Sequence, residues 1–387
     1  MTALAVAIVV ASSPGQLPEW RLQTEIAIGS EASEEYAFTR IGVVAPVSDG
    51  SAIVADWADD RLRVFDRQGR FLRWIGRTGN GPGEFRRVNA IALRGDTLEV
   101  LERRRIHQFT LEGELLTTRP IDYDVSENYR MGTLLARTPA GHFLTVPGLL
   151  GDALISGHET QQPVLQIARD GSRRATAGVM DLNTLGVIVR FPDGRRTHKS
   201  PLPLYEASYS IGPAGDRLAF VLQTVPESGS PSEFRIAVVD PDGDTLSQST
   251  IAYQPTRIPE NERDSIAAAL IRPPQPIRPL PAEERRAIQE QVPVPEYYPA
   301  VAGIVIGSDG RLWLRRFSAT GSEWLVLDDR CRPIGVVRGG PTLRIHAASS
   351  THVWASELDE FDVPRLLRLR INVPQGDDDA SDEGTVR

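Results

Sequence analysis

The stretch GRTGNGPGEF, Gly76 to Phe85, decides how this chain is read. Four glycines and a proline, ending on an acid and an aromatic, suit either a loop that cradles a phosphate or a crossing the architecture requires. A dinucleotide-binding turn needs a strand before it and a helix after it, so that the pyrophosphate sits on the helix N-terminus. FLRWIG reads as a strand before Gly76, but RRVNAIALRGDTLEV after Phe85 reads as strand, turn, strand. The spacing also misses GxGxxG, and no GK[ST] follows. The context of the motif therefore favours architecture over phosphate binding.

Working outward, two kinds of turn alternate along the chain. The first joins apolar runs at Asp49, Gly95, Gly141, Gly215, Gly310 and Ser350; the second follows at Gly69, Gly113, Gly171, Gly243 and Cys331. Each unit reads strand, turn, strand, loop, strand, Asp-Gly turn, strand, a four-stranded meander in which glycine supplies the positive φ of tight hairpins. Six units of roughly 40 to 50 residues have the period of propeller blades. The chain is thus expected to be all-β, a six-bladed β-propeller of four-stranded antiparallel blades spanning 20–373. Arg21 to Gly29 alternates suitably to complete the sixth blade beside PRLLRLRINV, with Trp20 as its anchor. Between blades four and five, PENERDSIAAALI and PAEERRAIQEQ carry helix-start signals and predict a short helical, proline-rich insertion at about 259–295. On this reading Gly76 to Phe85 is a blade crossing, with Phe85 wedged between blades, and VVRGGPTLRIHA at Gly339 to Pro341 is a worn copy.

Composition fits. The chain has 387 residues, 33 Gly and 29 Pro, a net charge of −8 and a single cysteine, Cys331. The acidic balance opposes the counterion-release term of nucleic-acid binding, and one cysteine excludes an internal disulfide or a multi-cysteine metal site. Ala3 to Ala11 is a nine-residue apolar run followed by small residues, so 1–13 reads as a secretory signal peptide without a basic n-region. The alternatives are a buried first strand or a misassigned start. A periplasmic or secreted protein is expected, a monomer without a membrane span once processed. Residues 374–387 read as a disordered acidic tail.

GRTGNGPGEF after RVFDRQGRFLRWI resembles the blade junction of bacterial six-bladed β-propellers related to the NHL-repeat proteins. YYPAVAGIVIGSDGRLWLRRF, WLVLDDRCRPIGVV and SELDEFDVPRLLRLRI extend the resemblance over most of Ile41 to Asn372. ERRRIHQF departs from it in being unusually basic. The resemblance implies an exported propeller and no general activity or catalytic set.

Meander order places the crossings and the loops between second and third strands on one face. That face collects the candidate ligand-binding residues Asp56, Asp60, Arg77, Arg103, Arg104, Arg315 and Glu357, of which Asp56 lies nearest a strand end and Arg77 ranks second. The plainer reading of each is a solvated loop tip. Three functions remain open. The first is non-catalytic binding of a peptide, glycan or small molecule on this face. The second is a metal-dependent hydrolase or lyase of the gluconolactonase-like propeller type, with calcium as its conceivable ion. The third is a structural subunit of an envelope assembly, docked through Pro259 to Gln291. No catalytic residue, metal ligand set or cofactor is assigned, and none of the six histidines shows ligand spacing.

Overall fold

The computed structural model describes residues 17–102, 105–121, 129–149, 161–181, 187–200, 202, 209–272, 279–318 and 321–374. Six four-stranded antiparallel units stand in a ring, so the chain is a six-bladed β-propeller. The innermost strands are Ile41–Pro46, Ala90–Arg94, Tyr129–Arg137, Tyr209–Ile211, Gly303–Ile306 and Arg344–Ala348. Ile41–Pro46 adjoins both Arg344–Ala348 and Ala90–Arg94, and Gly303–Ile306 adjoins both Tyr209–Ile211 and Arg344–Ala348. Burial follows the blade-on-blade packing that a four-stranded sheet needs to cover both of its faces. Ile53, Leu62, Ile75, Phe85, Leu98 and Phe109 form one cluster between the first two blades.

The tight turns recur with one chemistry. Asp66, Asp240 and Asp328 each open a turn and accept the amides two and four residues on, at 2.8–2.9 Å in the first, 2.9 Å in the second and 2.8–3.0 Å in the third. The glycines at Gly69 and Gly243 take φ of 80° and 96°, and in the third turn Cys331 adopts φ 60° without being glycine. Such positive angles suit glycine because it lacks a Cβ. Burial pushes the Cys331 thiol up to about 11, so the residue is a neutral, inert turn member.

Ring closure is made by the N-terminal strand. Glu19–Ile28 runs antiparallel to Pro364–Asn372, from Arg21 opposite Asn372 to Ile28 opposite Leu366. The same strand reaches further than its alternation suggests: Glu19 and Trp20 pair in parallel with Val336 and Val337 of blade five. Trp20 is buried, its ring edge-on to Trp313 at 6.0 Å. One strand thus closes blade six and ties it to blade five.

The insertion folds as helices α1 (Glu260–Leu270) and α2 (Ala282–Gln291). A feature not anticipated from sequence is its partner, the hairpin Val187–Arg190/Arg196–Lys199, which forms its own two-stranded sheet between blades three and four. Val189 of the hairpin packs with Leu270, Ala287, Ile288 and Val292. Gln291 exchanges hydrogen bonds with the Arg190 backbone at 2.9 and 2.8 Å. Both insertions leave from blade crossings, so they share the crossing-loop face. The signal-like segment, the acidic tail and most of the proline-rich link lie outside the described residues.

Candidate functional site

The glycine-rich crossing is architectural in detail. Arg77 and Thr78 pair in parallel with Glu84 and Phe85, closing a small loop. Gly76 has φ 76°, and a Cβ there would meet the Phe85 ring at 2.2 Å. Phe85 is fully buried, edge-on to Phe109 and His107 at 5.8 and 5.1 Å. The Gly83 amide donates to His107 Nδ1 at 3.3 Å. His107 is fully buried, and that burial, with the Arg105 charge, lowers its pKa. Arg77 meets Glu84 at 2.9 Å, and the Gly81 amide and then this guanidinium hold the Glu84 carboxyl below its ordinary range. The crossing satisfies its own charges.

The other candidates separate. Asp60 is half-buried on the blade-one loop, Arg315 lies opposite Gly303 and donates to the Ala302 carbonyl at 3.2 Å, and Glu357 pairs with Arg365 across strands of blade six. Arg103 and Arg104 lie outside the described residues. Among the described candidates, Asp56, Asp60, Arg77 and Glu357 make no hydrogen bond or ion pair with one another.

Asp56 is 3% exposed. Its carboxylate accepts the amides of Thr39 at 2.6 Å, Arg40 at 3.0 Å and Ala58 at 3.0 Å, with Arg63 Nη1 at 3.7 Å. It acts through backbone, binding the entry crossing to the loop after its own strand. Glu102 repeats the device in blade two, accepting the Arg86 amide at 2.7 Å. Asp56 fixes two residues not singled out from sequence. Trp57 donates its amide to the Arg40 carbonyl at 2.9 Å and lies across Gly42, where a Cβ would meet indole Nε1 at 2.1 Å. The Arg40 guanidinium stands 4.1 Å from the Trp57 ring centroid and Arg87 stands 6.0 Å from it. A glycine inside the apolar run IGVVAP was the available signal, because glycine in a strand marks close approach or a bulge. The register does shift there, between Ile41 and Val43.

Along the axis the inner strands enclose a cavity of about 1220 Å³. Its wall includes Val43, Ile91, Leu93, Leu135, Val305 and Ala347, with polar groups from Asn89, Ser210 and His346. The lining continues to the tight turns at Asp49, Gly95 and Pro213, so the cavity opens on the face opposite the crossings. Of the described candidates from sequence, Asp56, Asp60, Arg77, Arg315 and Glu357 are not in its lining. Several charges at this mouth have partners: Arg137 and Arg94 share Glu99, the latter at 3.8 Å, and Arg368 meets Glu25 at 2.9 Å, while Asp49, Arg67 and Asp96 also line it.

His346 sits on the bulge between Ile345 and Ala347, with Nε2 2.8 Å from Ser356 Oγ and a hydrogen bond to the Gly42 backbone. It is half-buried and lines the cavity. Burial, then the Arg344 charge, pushes its pKa down to about 4, so the ring is neutral at pH 7. Among the described residues no three His, Cys, Asp or Glu side chains converge to hold a metal ion. Among those residues, too, no helix is long and apolar enough to cross a membrane.

Fold and site together define a six-bladed propeller with an axial, apolar-walled cavity. Residues 28–133 match a family model described as a 6-bladed beta-propeller. Among solved structures, the chain is similar to an exported-protein candidate of Bacteroides fragilis at 10% identity, covering 92% of this chain and 99% of that one, with TM-score 0.48. It is also similar to virginiamycin B lyase from Staphylococcus aureus, at 11% identity, 91% and 99% coverage and TM-score 0.41. A gluconolactonase from Xanthomonas campestris matches at 13% identity, 96% and 98% coverage and TM-score 0.40. No curated protein matches the sequence.

Proposed function

We propose that the protein is a binding propeller that holds a small, largely apolar molecule in its axial cavity without performing chemistry on it. The observation that carries this reading is the cavity itself. At about 1220 Å³ it exceeds the roughly 300–1,000 Å³ common for ligand pockets, and an apolar wall with a few polar groups is the usual composition of such sites. At the mouth Arg94 and Arg137 share Glu99 and Arg368 meets Glu25, while the deeper wall is mostly apolar, which supports a ligand held chiefly by shape and apolar contact. Asn89, whose buried side-chain nitrogen has no hydrogen-bond partner among the described residues, supplies an orienting donor at the cavity wall. Among the described residues no three His, Cys, Asp or Glu side chains gather, which favours binding over the metal-dependent reading. An exported location is part of the proposal and rests on the apolar run Ala3 to Ala11.

The test is a thermal-shift screen of the whole chain against small apolar molecules, repeated on Ser210→Phe, which fills the cavity from a half-buried wall position. A ligand at a hundred times its Kd stabilises by about 2.7 kcal/mol. That shift is expected in the parent protein and absent from the variant. Equal shifts in both place the ligand elsewhere and overturn the proposal.

A further inference from the structure

We propose that Arg40, Trp57 and Arg87 form a clamp for an oxyanion group, a carboxylate or phosphate carried by a small molecule, on the crossing-loop face. It is separate from the axial cavity and does not depend on it. Three observations converge. First, the two guanidinium groups stand over one indole, at 4.1 and 6.0 Å from its centroid, and among the described residues neither makes an ion pair with a carboxylate. The acids of the same loop are engaged elsewhere. Asp56 is turned to backbone amides, Asp59 meets Arg61 and Arg63 at 3.2 and 3.3 Å, and Asp60 pairs with neither clamp arginine. Two like charges held near one ring repel each other, and an anion bound beside both offsets that repulsion.

Second, a guanidinium stacked on an aromatic face keeps its planar fork of N–H donors free at the edge, the geometry that takes a carboxylate or phosphate in two parallel hydrogen bonds. Third, the clamp is built before any ligand arrives. Trp57 is 40% exposed yet fixed from beneath, since its indole lies on Gly42 and its amide is bonded to the Arg40 carbonyl at 2.9 Å. Buried Asp56 holds the amides of Arg40 and Ala58, on both sides of the pair, at 3.0 Å. A pre-ordered exposed tryptophan loses little conformational freedom on binding, which lowers the cost of closing the arginines on an anion. In a chain of net charge −8, a local excess of positive charge also draws anions to this one place.

The experiment titrates the full chain with inorganic phosphate and, separately, with succinate, at fixed ionic strength set with chloride, read by calorimetry and by tryptophan emission. Saturable binding of at least one probe is expected, weakened tenfold or more in Arg40→Gln and in Arg87→Gln. Arg86→Gln removes an adjacent exposed arginine that does not touch Trp57 and is expected to bind within twofold of the parent. The probe that saturates at lower concentration identifies the group, carboxylate or phosphate. Ser210→Phe is expected to leave this binding intact, which separates its failure from failure of the axial site. The clamp is overturned if neither probe binds, if chloride reproduces the response, or if Arg40→Gln and Arg87→Gln bind as the parent does.

Discussion

Replacing Asp56 with alanine removes one buried carboxylate and leaves three backbone donors, those of Thr39, Arg40 and Ala58, without their acceptor. Hydrogen bonds to a charged group are worth about 1.5–3 kcal/mol each, but Thr39 and Arg40 are exposed residues whose amides recover part of that from water. Arg63, 3% exposed, keeps Asp59 at 3.3 Å and the Ala37 carbonyl at 2.9 Å, so its charge is not orphaned. The net cost is therefore well below the sum of three bonds, about 4 kcal/mol, within the range for breaking a buried ionic contact. Unfolding entropy of about 2.1 cal/mol/K per residue over 387 residues gives about 0.8 kcal/mol/K. Asp56→Ala is then expected to lower Tm by about 5 °C in calorimetry at pH 7. Asp60→Ala, on the same loop with no ion pair, is expected to change it by less than about 1 °C. A Tm within 1 °C of the parent for Asp56→Ala would refute the claim that this carboxylate organises the crossing.

Gly76→Ala meets both a φ of 76° and the Phe85 ring and is expected to cost at least about 2 kcal/mol, whereas Gly95→Ala, at φ 57° with open space around it, should cost about 1; urea midpoints distinguish them. His346 is depressed from 6.5 to about 4, so the unfolded chain binds the extra proton first, and stability present above about 6.5 is lost as pH falls toward 4. His346→Gln is expected to flatten this part of the stability–pH curve, and an unchanged slope would show that the ring is not held neutral. Trp20→Ala empties a site 4% exposed beside Trp313, at a cost of about 3–5 kcal/mol, and loosens the strand that closes the ring; earlier proteolysis near the N-terminus checks it.

The ring and its closure were legible because they rest on local chemistry that repeats. Asp-Gly turns announce themselves, and Arg21 to Gly29 carries the alternation of a strand that needs a partner. The hairpin at Val187–Lys199 uses the same turn text, Pro192-Asp193-Gly194, yet joins no blade. Turn chemistry does not say which sheet a strand enters, so this element was missed. The site divides in the same way. Asp56 was recognisable as an acid at a strand end, but its task depends on amides 16 and 17 residues earlier, which no spacing rule brings to it. Arg77 read as a free charge because the fold-back that delivers Glu84 is a property of the folded loop. The axial cavity lies between six inner strands from all over the chain, so its wall and its mouth on the tight-turn face emerge only once the ring is assembled.

The most direct test of the binding account is hydrogen–deuterium exchange on the full chain with and without a compound from the thermal screen. Slowed exchange in the inner strands Ile41–Pro46, Ala90–Arg94 and Gly303–Ile306, and at the turns near Asp49 and Gly95, is the expected pattern. Protection confined to outer strands or to the helices α1 and α2, with the inner strands unchanged, contradicts it.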